Sequence, residues 1–467
     1  MADYKLLING KLVDGAASME VVNPATEAVL AVCPRGSTQQ MEEAVQAAKK
    51  AFPAWSRRPV AERRALLMTL ADAVDQRQDE LARLLTQEQG KPLAEATAEI
   101  LYAGIFIRSI ASQDLPVKVL QETETTRVEQ HRMPLGVVGA IIPWNFPVLL
   151  MAFKLPAALL AGNTVVVKPA PTTPLSTLKL GEVMADLFPA GVVNIVTDQN
   201  DLGGYLTAHP DVAKISFTGS SGTGKKVMEA AAGTLKRLTL ELGGNDAAIV
   251  LPGADPAVVA PGIFGGAFMN AGQVCLAIKR AYVHESIYDD VVARLAALAD
   301  AAVVDNGLHQ GTTIGPLQNR MQYEKVKGFL EIAKADGRVV TGGEVEGKPG
   351  FFIRPTIVAD IDDESRLVQE EQFGPVLPVV KYTNPEDALE KANASPWGLG
   401  GSVWGPDREK NHDVALRMQT GTAWINKHLD FGPTIPFGGA KQSGIGVELA
   451  EEGLMEFTQL HIINEAR

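Results

Sequence analysis

Two residue types that can cooperate in nucleophilic catalysis lie on either side of one apolar segment. Cys275 is one of only two cysteines in the 467-residue chain and stands in the stretch FMNAGQVCLA (268–277). Glu241 ends a β-type run and precedes two glycines. A thiolate attacks electrophilic carbon, and a carboxylate can take a proton from a thiol or from water. The pair therefore predicts a cysteine nucleophile with a glutamate base.

Each residue alone also has a structural explanation, because free cysteines often pack as small hydrophobes and strand-end glutamates are often ion-paired. The surrounding motifs favour the chemical interpretation. LELGGN (240–245) and FMNAGQVCLA resemble signature motifs of the aldehyde dehydrogenase superfamily, and further matches follow in the family's order along most of the chain. The resemblance implies NAD(P)-dependent, non-acylating oxidation of an aldehyde to a carboxylic acid.

The resemblance assigns four catalytic positions. Cys275 attacks the aldehyde to give a thiohemiacetal, whose oxyanion is held by its own backbone N–H and by Asn145 of PWNFP (143–147). Glu241 activates water to hydrolyse the thioester left after hydride loss, which favours a free acid over a coenzyme-A thioester. Lys154 matches a lysine that supports the proton relay, although a lysine on a buried helix commonly extends to solvent.

A dinucleotide site is predicted from motifs at strand ends. FTGSSGTGKK (217–226) joins a strand to a helix, where glycines and backbone N–H groups can hold a phosphate. The stretch nearly matches a P-loop, but Lys226 stands where a Mg²⁺-binding hydroxyl is required, so an NTPase is the weaker alternative. The cofactor-binding positions implied by the resemblance are Pro143, Trp144, Lys168, Pro171, Gly219, Ser220, Leu242, Gly243, Glu371 and Phe373.

Two departures from the family pattern concern the cofactor. Pro171 replaces the glutamate that, in the family, grips the ribose hydroxyls and repels a 2′-phosphate. NAD is the cofactor that the resemblance implies, but Pro171 can neither accept those bonds nor repel the phosphate, so NADP stays open as an alternative. Asp198-Gln199-Asn200 stands where the family often has Gly-x-Gly, which predicts a differently shaped nicotinamide end of the cleft. No metal is expected.

The substrate tunnel is inferred by transfer from the family. Its lining is mostly apolar or aromatic, which favours a medium-chain aliphatic or an aromatic aldehyde. His428 and Asp430 are polar exceptions, and no arginine clamp for a substrate carboxylate is evident. The implied tunnel residues are Phe146, Leu150, Phe153, Val274, Leu276, Leu429, Phe431 and Phe437.

Composition and charge limit the class of protein. A net charge of −12 disfavours binding to nucleic acid or to an anionic membrane. Two cysteines give no disulfide framework, which suits a cytoplasmic location, and Cys33 is expected only to pack in a strand. The N-terminus lacks the apolar core of a signal peptide. Prolines interrupt the apolar stretch 136–167, so it predicts strand, helix and strand instead of a membrane span.

The order of elements predicts an α/β protein. Strands alternate with helices over 136–242, which implies a Rossmann-like, doubly wound parallel sheet. By the resemblance a small β arm joins subunits into a homodimer or homotetramer. The predicted units are a dinucleotide-binding domain (1–113 and 134–242), a second α/β catalytic domain (243–441) and the oligomerisation arm (114–133 and 442–467).

Local signals add detail at the N-terminal end. Asn9-Gly10 favours a hairpin, and Ser37 with Gln40 can form a capping box. One long amphipathic helix is predicted from about 60 to 88, ended by Gly90.

Three rival functions are left open. The first is a cysteine hydrolase built on Cys275 with His284 or His428. The second is the P-loop NTPase, and the third is a catalytically silent member of the same fold.

Overall fold

The computed structural model describes residues 4–467, so the first three residues of the predicted dinucleotide-binding segment lie outside that range. The N-terminal strands are β1 (Leu6–Ile8), β2 (Lys11–Val13), β3 (Ala17–Val22) and β4 (Val29–Arg35). Asn9 and Gly10 both take positive φ between β1 and β2, the geometry of a tight hairpin turn. The predicted hairpin is confirmed.

Four helices follow, α1 (Thr38–Ser56), α2 (Val60–Gln76), α3 (Gln78–Gln89) and α4 (Leu93–Ala111). The predicted capping box of Ser37 and Gln40 begins α1, and Gly90 ends α3 in a left-handed conformation. The single helix predicted over 60–88 is wrong. Arg77 leaves the helical region (φ −104°, ψ 15°) and donates from its guanidinium to the Lys179 carbonyl, so the chain turns between α2 and α3.

The middle of the chain alternates strands and helices as predicted. Its elements are β7 (Val137–Ile141), α5 (Pro147–Ala161), β8 (Thr164–Lys168), α6 (Leu175–Leu187), β9 (Val193–Ile195), α7 (Gly203–Ala208), β10 (Val212–Thr218), α8 (Ser221–Ala232) and β11 (Arg237–Glu241). The strands pair in the parallel order β9-β8-β7-β10-β11. Winding reverses between β7 and β10, so the carboxyl ends of these strands open a crevice, the usual ligand site of such sheets.

The second sheet is also mainly parallel, in the order β14-β15-β16-β13-β12-β18-β19, with only β14 antiparallel. Its strands are β12 (Asp246–Val250), β13 (Ile278–His284), β14 (Arg338–Thr341), β15 (Thr356–Ala359), β16 (Val376–Tyr382), β18 (Gly400–Trp404) and β19 (Thr422–Ile425). The short strands β17 (Trp397–Gly398) and β20 (Ala440–Lys441) pair beside it. The helices of this part are α9 (Pro256–Phe268), α10 (Tyr288–Ala301), α11 (Arg320–Asp336), α12 (Arg366–Gln369), α13 (Pro385–Asn393) and α14 (Arg408–Arg417).

A separate three-stranded sheet, called the arm sheet below, contains β5 (Lys118–Glu122), β6 (Thr126–Pro134) and β22 (Thr458–Ala466). β22 pairs with β6 from Thr458↔Pro134 to Ala466↔Thr126 and leaves several apolar side chains of β22 exposed. The preceding strand β21 (Gly444–Ile445) pairs with β11 and extends the first sheet, and α15 (Ala450–Met455) follows it. Of the predicted arm segment 442–467, only β22 therefore joins the arm sheet.

The apolar stretch 136–167 folds as β7, α5 and β8, each buried along its whole length. Strands that are apolar throughout are what a parallel sheet covered on both faces requires. Within residues 4–467, none of the helices has the length and apolar character that crossing a membrane would need.

Candidate active site

Cys275 lies in a tethered loop between a 3₁₀ turn (Met269–Gly272) and β13. Asn270 and Ala271 take left-handed backbone angles (φ 50° and 54°), which L-residues adopt only at an energetic cost. Side chains hold this turn, because Gln89 donates to Asn270 Oδ1 at 3.0 Å and Gln273 donates to the Asn270 carbonyl at 2.9 Å. The loop thus presents the half-buried thiol of Cys275 from a backbone that is held on several sides.

Glu241 ends β11 and is buried beside that thiol. Among the described residues, no N–H or O–H group donates to either of its carboxylate oxygens. Burial, and then the carboxylate of Glu448, raise the pKa of Glu241 to about 8, against the opposing effects of Lys154 and the thiol. Burial and Glu241 likewise raise the pKa of Cys275 well above its ordinary value. A carboxyl with a pKa near the working pH is suited to accepting and returning protons.

Asn145 lies across the loop and is also buried. Its Nδ2 donates to the Gln273 carbonyl at 3.0 Å, and its own carbonyl accepts from Lys91 at 2.8 Å and from Asn270 at 3.1 Å. An amide carries two N–H donors, so one donor of Asn145 is left for a ligand. The backbone N–H of Cys275 makes no hydrogen bond within residues 4–467. Two donors are therefore free next to the thiol.

Lys154 does not extend to solvent. It is fully buried on α5, donates to Thr218 Oγ1 at 2.7 Å and forms an ion pair with Glu448. Because Lys154 and Glu448 are the groups that act most strongly on Glu241 after burial, the three form one electrostatic unit. Glu448 was missed by sequence reasoning, since no motif marks it and its partner Lys154 is 294 positions away. The only available signal was the need of a lysine in an apolar helix for a counter-charge.

A cleft lined by both charged and apolar residues opens at the carboxyl ends of β7, β8, β10 and β11, with about 1600 Å³ of empty space. All ten predicted cofactor positions line it: Pro143, Trp144, Lys168, Pro171, Gly219, Ser220, Leu242, Gly243, Glu371 and Phe373. Ser220 caps α8 by accepting from the Thr223 N–H at 3.2 Å, so a helix N-terminus borders the cleft. Such a terminus favours a phosphate group.

The Cys275 side of the cleft combines aromatic rings with a carboxylate. Trp144 and Phe373 meet edge to face with ring centroids 5.4 Å apart. Glu371 accepts the Gly244 N–H at 2.9 Å, and a Cβ at Gly243 would stand 2.7 Å from its other oxygen. Glycine at 243 is what lets this carboxylate approach. Phosphate-binding, apolar and carboxylate groups in one cleft fit a nicotinamide dinucleotide.

Sequence reasoning missed the start of α11, which forms another wall of the cleft. Asn319, Arg320, Met321, Gln322 and Lys325 line it. Gln322 and Lys325 donate to backbone carbonyls of the 371–373 loop and so hold that loop in place. No motif marks these residues, and their role depends on a contact between segments distant in sequence.

Asp198 does not line the cleft, although the sequence analysis placed its segment at the nicotinamide end. Instead of bordering the nicotinamide end, its buried carboxylate accepts from Lys168 at 2.6 Å and from the Leu202 N–H at 2.9 Å. The ion pair stands at the end of β8, on the Pro171 side of the cleft. Of the residues that replace Gly-x-Gly, Asn200 lines the cleft.

A second cavity, with about 1090 Å³ of empty space, reaches Cys275 from the opposite side. All eight predicted tunnel residues line it: Phe146, Leu150, Phe153, Val274, Leu276, Leu429, Phe431 and Phe437. The α4 residues Ala98, Tyr102 and Phe106 complete the wall and were not predicted. Cys275 and Asn145 line both cavities, so the Cys275 thiol lies where the cleft and the tunnel meet.

The polar lining of the tunnel differs from the prediction. Asp430 lines it, as do Glu95 and Glu99 of α4, but His428 does not. His428 packs against Trp424 and donates Nε2–H to the Leu276 carbonyl at 2.6 Å, and burial lowers its pKa to about 3. His428 is therefore a neutral packing residue. Glu99 is neutralised by Lys91 at 2.5 Å.

The comparisons with known proteins agree along the whole chain. The family model described as aldehyde dehydrogenase family matches residues 12–463. A mitochondrial aldehyde dehydrogenase of Leishmania tarentolae is 41% identical over 99% of this chain and 95% of its own length. The phenylacetaldehyde dehydrogenase of Pseudomonas fluorescens is 38% identical over 97% and 94%.

The chain belongs to the aldehyde dehydrogenase family.

A solved member of this family has the same fold. The betaine aldehyde dehydrogenase of Staphylococcus aureus, in complex with NAD⁺, has a TM-score of 0.96 at 32% identity and covers 99% of this chain and 94% of its own. The predicted α/β fold class and the predicted enzyme class, an NAD(P)-dependent aldehyde dehydrogenase, are confirmed.

The geometry disfavours the rival functions. Neither histidine serves Cys275, because His428 bonds the Leu276 carbonyl and His284 bonds Ser286 and the Thr383 carbonyl. Lys225, the lysine of the P-loop-like stretch, is exposed and outside the cleft lining, as is Lys226 in the place of the required hydroxyl. A silent member of the family would have no need of the convergence of Cys275 with Glu241 and Asn145.

Proposed function

We propose that this aldehyde dehydrogenase oxidises an apolar aliphatic or an aromatic aldehyde to its carboxylic acid with NAD⁺. The observation that carries the proposal is the position of Cys275 and Asn145 at the junction of two cavities, a cleft with the mixed groups suited to a dinucleotide and a mostly apolar tunnel. The aldehyde enters through the tunnel, and its carbonyl carbon meets the thiol. A nicotinamide ring bound in the cleft would accept the hydride.

In the first half-reaction Cys275 attacks the carbonyl carbon. Glu241 takes the thiol proton, since its carboxylate is the titratable neighbour and its pKa is raised to about 8. The free N–H groups of Asn145 and of the Cys275 backbone donate to the oxyanion of the thiohemiacetal. Loss of hydride leaves a thioester on Sγ.

Glu241 passes the thiol proton on to solvent before the second half-reaction, in which its carboxylate accepts a proton from water, whose oxygen attacks the thioester carbon. The carbon–sulfur bond breaks, the acid is released, and the Cys275 thiolate takes the proton from Glu241. Lys154 favours the ionised form of Glu241 against the repulsion of Glu448, and the Lys154–Glu448 pair can pass the proton onward, because Lys154 Nζ lies between Glu448 and Thr218. The two glutamates would otherwise repel each other in a buried site.

The cofactor assignment is supported by the lining of the cleft. Glu371 is the candidate acceptor for the nicotinamide-ribose hydroxyls, and the N-terminus of α8 is the candidate pyrophosphate site. At the other end Pro171 offers no carboxylate to repel a 2′-phosphate, but the charge of Lys168 is already neutralised by Asp198. NAD⁺ is therefore the proposed cofactor, with NADP⁺ as a poorer alternative.

The subunit arrangement and location belong to the same proposal. The arm sheet leaves Leu460, Ile462 and Ile463 about half exposed, which is the kind of apolar strand that a second subunit covers. We infer a homodimer or homotetramer in the cytoplasm.

The test is the growth of reduced-nicotinamide absorbance with purified protein and octanal or benzaldehyde, using NAD⁺ and NADP⁺ in parallel. We expect turnover with both aldehydes, a preference for NAD⁺ and none in Cys275→Ala. Turnover that survives this substitution, or a rate with succinic semialdehyde far above that with octanal, would contradict the proposal.

A further inference from the structure

A buried lysine lies directly behind the nucleophile. Lys279 of β13 follows Cys275 by four residues and is 2% exposed. Its Nζ donates to the carbonyls of Cys275 at 2.6 Å, Val274 at 3.0 Å and Ala277 at 3.3 Å. An ammonium group has three N–H donors and no acceptor. The three carbonyls occupy all three donors, so every N–H of the Lys279 ammonium group bonds the loop that carries Cys275.

The contact with Val274 sets the direction of the next N–H. The described residues contain no cis peptide bond, and in a trans peptide the C=O and N–H point to opposite sides. Because the Val274 C=O points at Lys279, the Cys275 N–H of the same peptide points away from it. This N–H is one of the two free donors beside the thiol. Lys279 thus orients the donor that an oxyanion would need.

Residues 273–277, which carry Cys275, need side-chain contacts such as those of Lys279 to hold their conformation. Asn270 and Ala271, just before them, are held in left-handed conformations, and residues 273–277 belong to no helix or strand. Lys279 also reaches the cleft, with Nζ 3.9 Å from a carboxylate oxygen of Glu371 and 5.9 Å from the ring centre of Phe373. It is therefore the one side chain of β13 that touches both the nucleophile loop and the proposed ribose acceptor.

We propose that Lys279 is a positioning residue for Cys275, which aims the backbone N–H at the oxyanion and places a positive charge beside the thiolate. The inference rests on the proposed function, since it presumes that Cys275 is the nucleophile. A simple packing role would leave the ionisation of the thiol unchanged, which makes the two roles separable.

The electrostatic part can be weighed against the other charges. Lys279 lowers the pKa of Cys275, in opposition to burial, Glu241 and Asp246, which raise it. Glu241 reaches the thiol from β11 and Asp246 from β12. The tunnel lining adds Glu95, Glu99, Tyr102 and Asp430, with Lys91 paired to Glu99, and His428 bonds the Leu276 carbonyl. The cleft lining adds Lys168, Arg320, Lys325 and Glu371, and the Lys154–Glu448 pair acts on Glu241. Lys279 is the cation that acts directly on the thiol.

The test compares Lys279→Met with Lys236→Met. Lys236 is a matched control, because it is buried and also donates to two backbone carbonyls, those of His209 and Val212, away from both cavities. The rate at which iodoacetamide labels Cys275 is followed against pH by mass spectrometry. We expect the midpoint to rise by about one unit in Lys279→Met, a tenfold loss of thiolate at a given pH. The midpoint should not move in Lys236→Met.

Activity provides the second readout. The kcat of Lys279→Met should fall at least about tenfold with the aldehyde KM nearly unchanged, because the oxyanion donor acts in the transition state. An unchanged labelling midpoint in Lys279→Met would overturn the inference, whatever happens to activity. If that variant does not fold, Lys279→Gln decides, since it keeps an N–H donor and removes only the charge; a wild-type midpoint there would also overturn it.

The two levels of proposal fail in different ways. If Cys275→Ala retains turnover, the proposed function fails before Lys279 is considered. If Cys275→Ala is inactive but the Cys275 thiol of the Lys279 variants ionises as in the wild type, only the proposed role of Lys279 fails.

Discussion

The two cavities that meet at Cys275 are built in different ways. The cofactor cleft is made by loops at the ends of neighbouring parallel strands and carries charged groups such as Lys168, Lys325 and Glu371. The tunnel is made by faces of α4 and α5 with the 429–437 segment, and most of its lining is apolar. The cleft can recognise a ligand through specific hydrogen bonds, whereas the tunnel selects by shape and by exclusion of water. Changes on the two sides should therefore have separable effects.

The largest effect is expected from Glu241→Gln at the junction. The amide cannot accept a proton, so thioester hydrolysis should slow by about 10²–10⁴-fold. Attack also loses the base that takes the thiol proton, but it should slow less than hydrolysis, because solvent can accept that proton. We expect a burst of reduced nicotinamide, slower than in the wild type but close to one per active site, followed by much slower turnover. Quenched-flow measurement with mass spectrometry of the acylated Cys275 peptide checks this, and equal loss of burst and turnover would contradict it.

Ionisation of Glu241 should make kcat depend on pH. The folded protein holds the pKa of Glu241 at about 8, above the ordinary value, so the carboxyl is protonated and inactive as a base below that pH. Where hydrolysis limits turnover, kcat should rise with pH and level off above about 8. The pH profile of kcat in the wild type is the measurement, with Glu241→Gln as the control that should lack this inflection. A profile that falls between pH 7 and 9 would count against the assigned base.

On the tunnel side, Phe431→Ala should act on the aldehyde alone. The ring of Phe431 meets Phe153 and Phe106 at 6.4 Å and 6.2 Å, so its loss widens an apolar wall. Removing such a contact is worth about 1–3 kcal/mol, which corresponds to at least roughly a tenfold rise in the KM for octanal or benzaldehyde. The KM for NAD⁺ should be unchanged.

Phe264→Ala is the matched control for that change. Phe264 is another half-buried ring, paired with Phe268 at 4.7 Å and outside the lining of both cavities. Its KM values should be those of the wild type. A similar rise in both variants would mean that the effect of Phe431→Ala is general loosening of the fold.

The smallest effect is expected at the far end of the cleft. Pro171→Glu places a carboxylate where a 2′-phosphate would lie, and like charges at a half-buried site repel by about 1 kcal/mol. We expect the ratio of kcat/KM for NAD⁺ to that for NADP⁺ to rise several-fold, with the aldehyde KM unchanged. An unaltered ratio would show that position 171 does not face the ribose.

The residues that sequence reasoning identified share one property. Cys275, Glu241 and Asn145 each lie in a short contiguous motif at a strand end or in a loop, so their neighbours along the chain mark them. The ten cleft positions and eight tunnel positions were predicted by the same kind of match, and they line the two cavities. Glu448 and Lys279 were missed, because each acts through a contact that its own sequence neighbourhood does not encode.

The errors have a common physical origin. His428 was expected to line the tunnel and Asp198 to shape the nicotinamide end, yet both are buried in specific pairings. The same holds for Lys154, for which extension to solvent was the alternative to a relay role. Which way a polar side chain turns depends on the partner that compensates its loss of water. Arg77 similarly interrupts a helix that periodicity alone would continue, because a carbonyl on α6 accepts its guanidinium.

The sequence by itself determined the family and the α/β order of elements, and it marked Cys275, Glu241 and Asn145 as the proposed nucleophile, base and oxyanion donor, since these are carried by local motifs and alternation. Only the tertiary structure decided that the cleft and the tunnel meet at Cys275, that Glu448 compensates Lys154, and that Lys279 donates to carbonyls of the Cys275 loop. It also decided the raised pKa of Glu241, because burial and charges through space depend on segments that meet only in the folded chain.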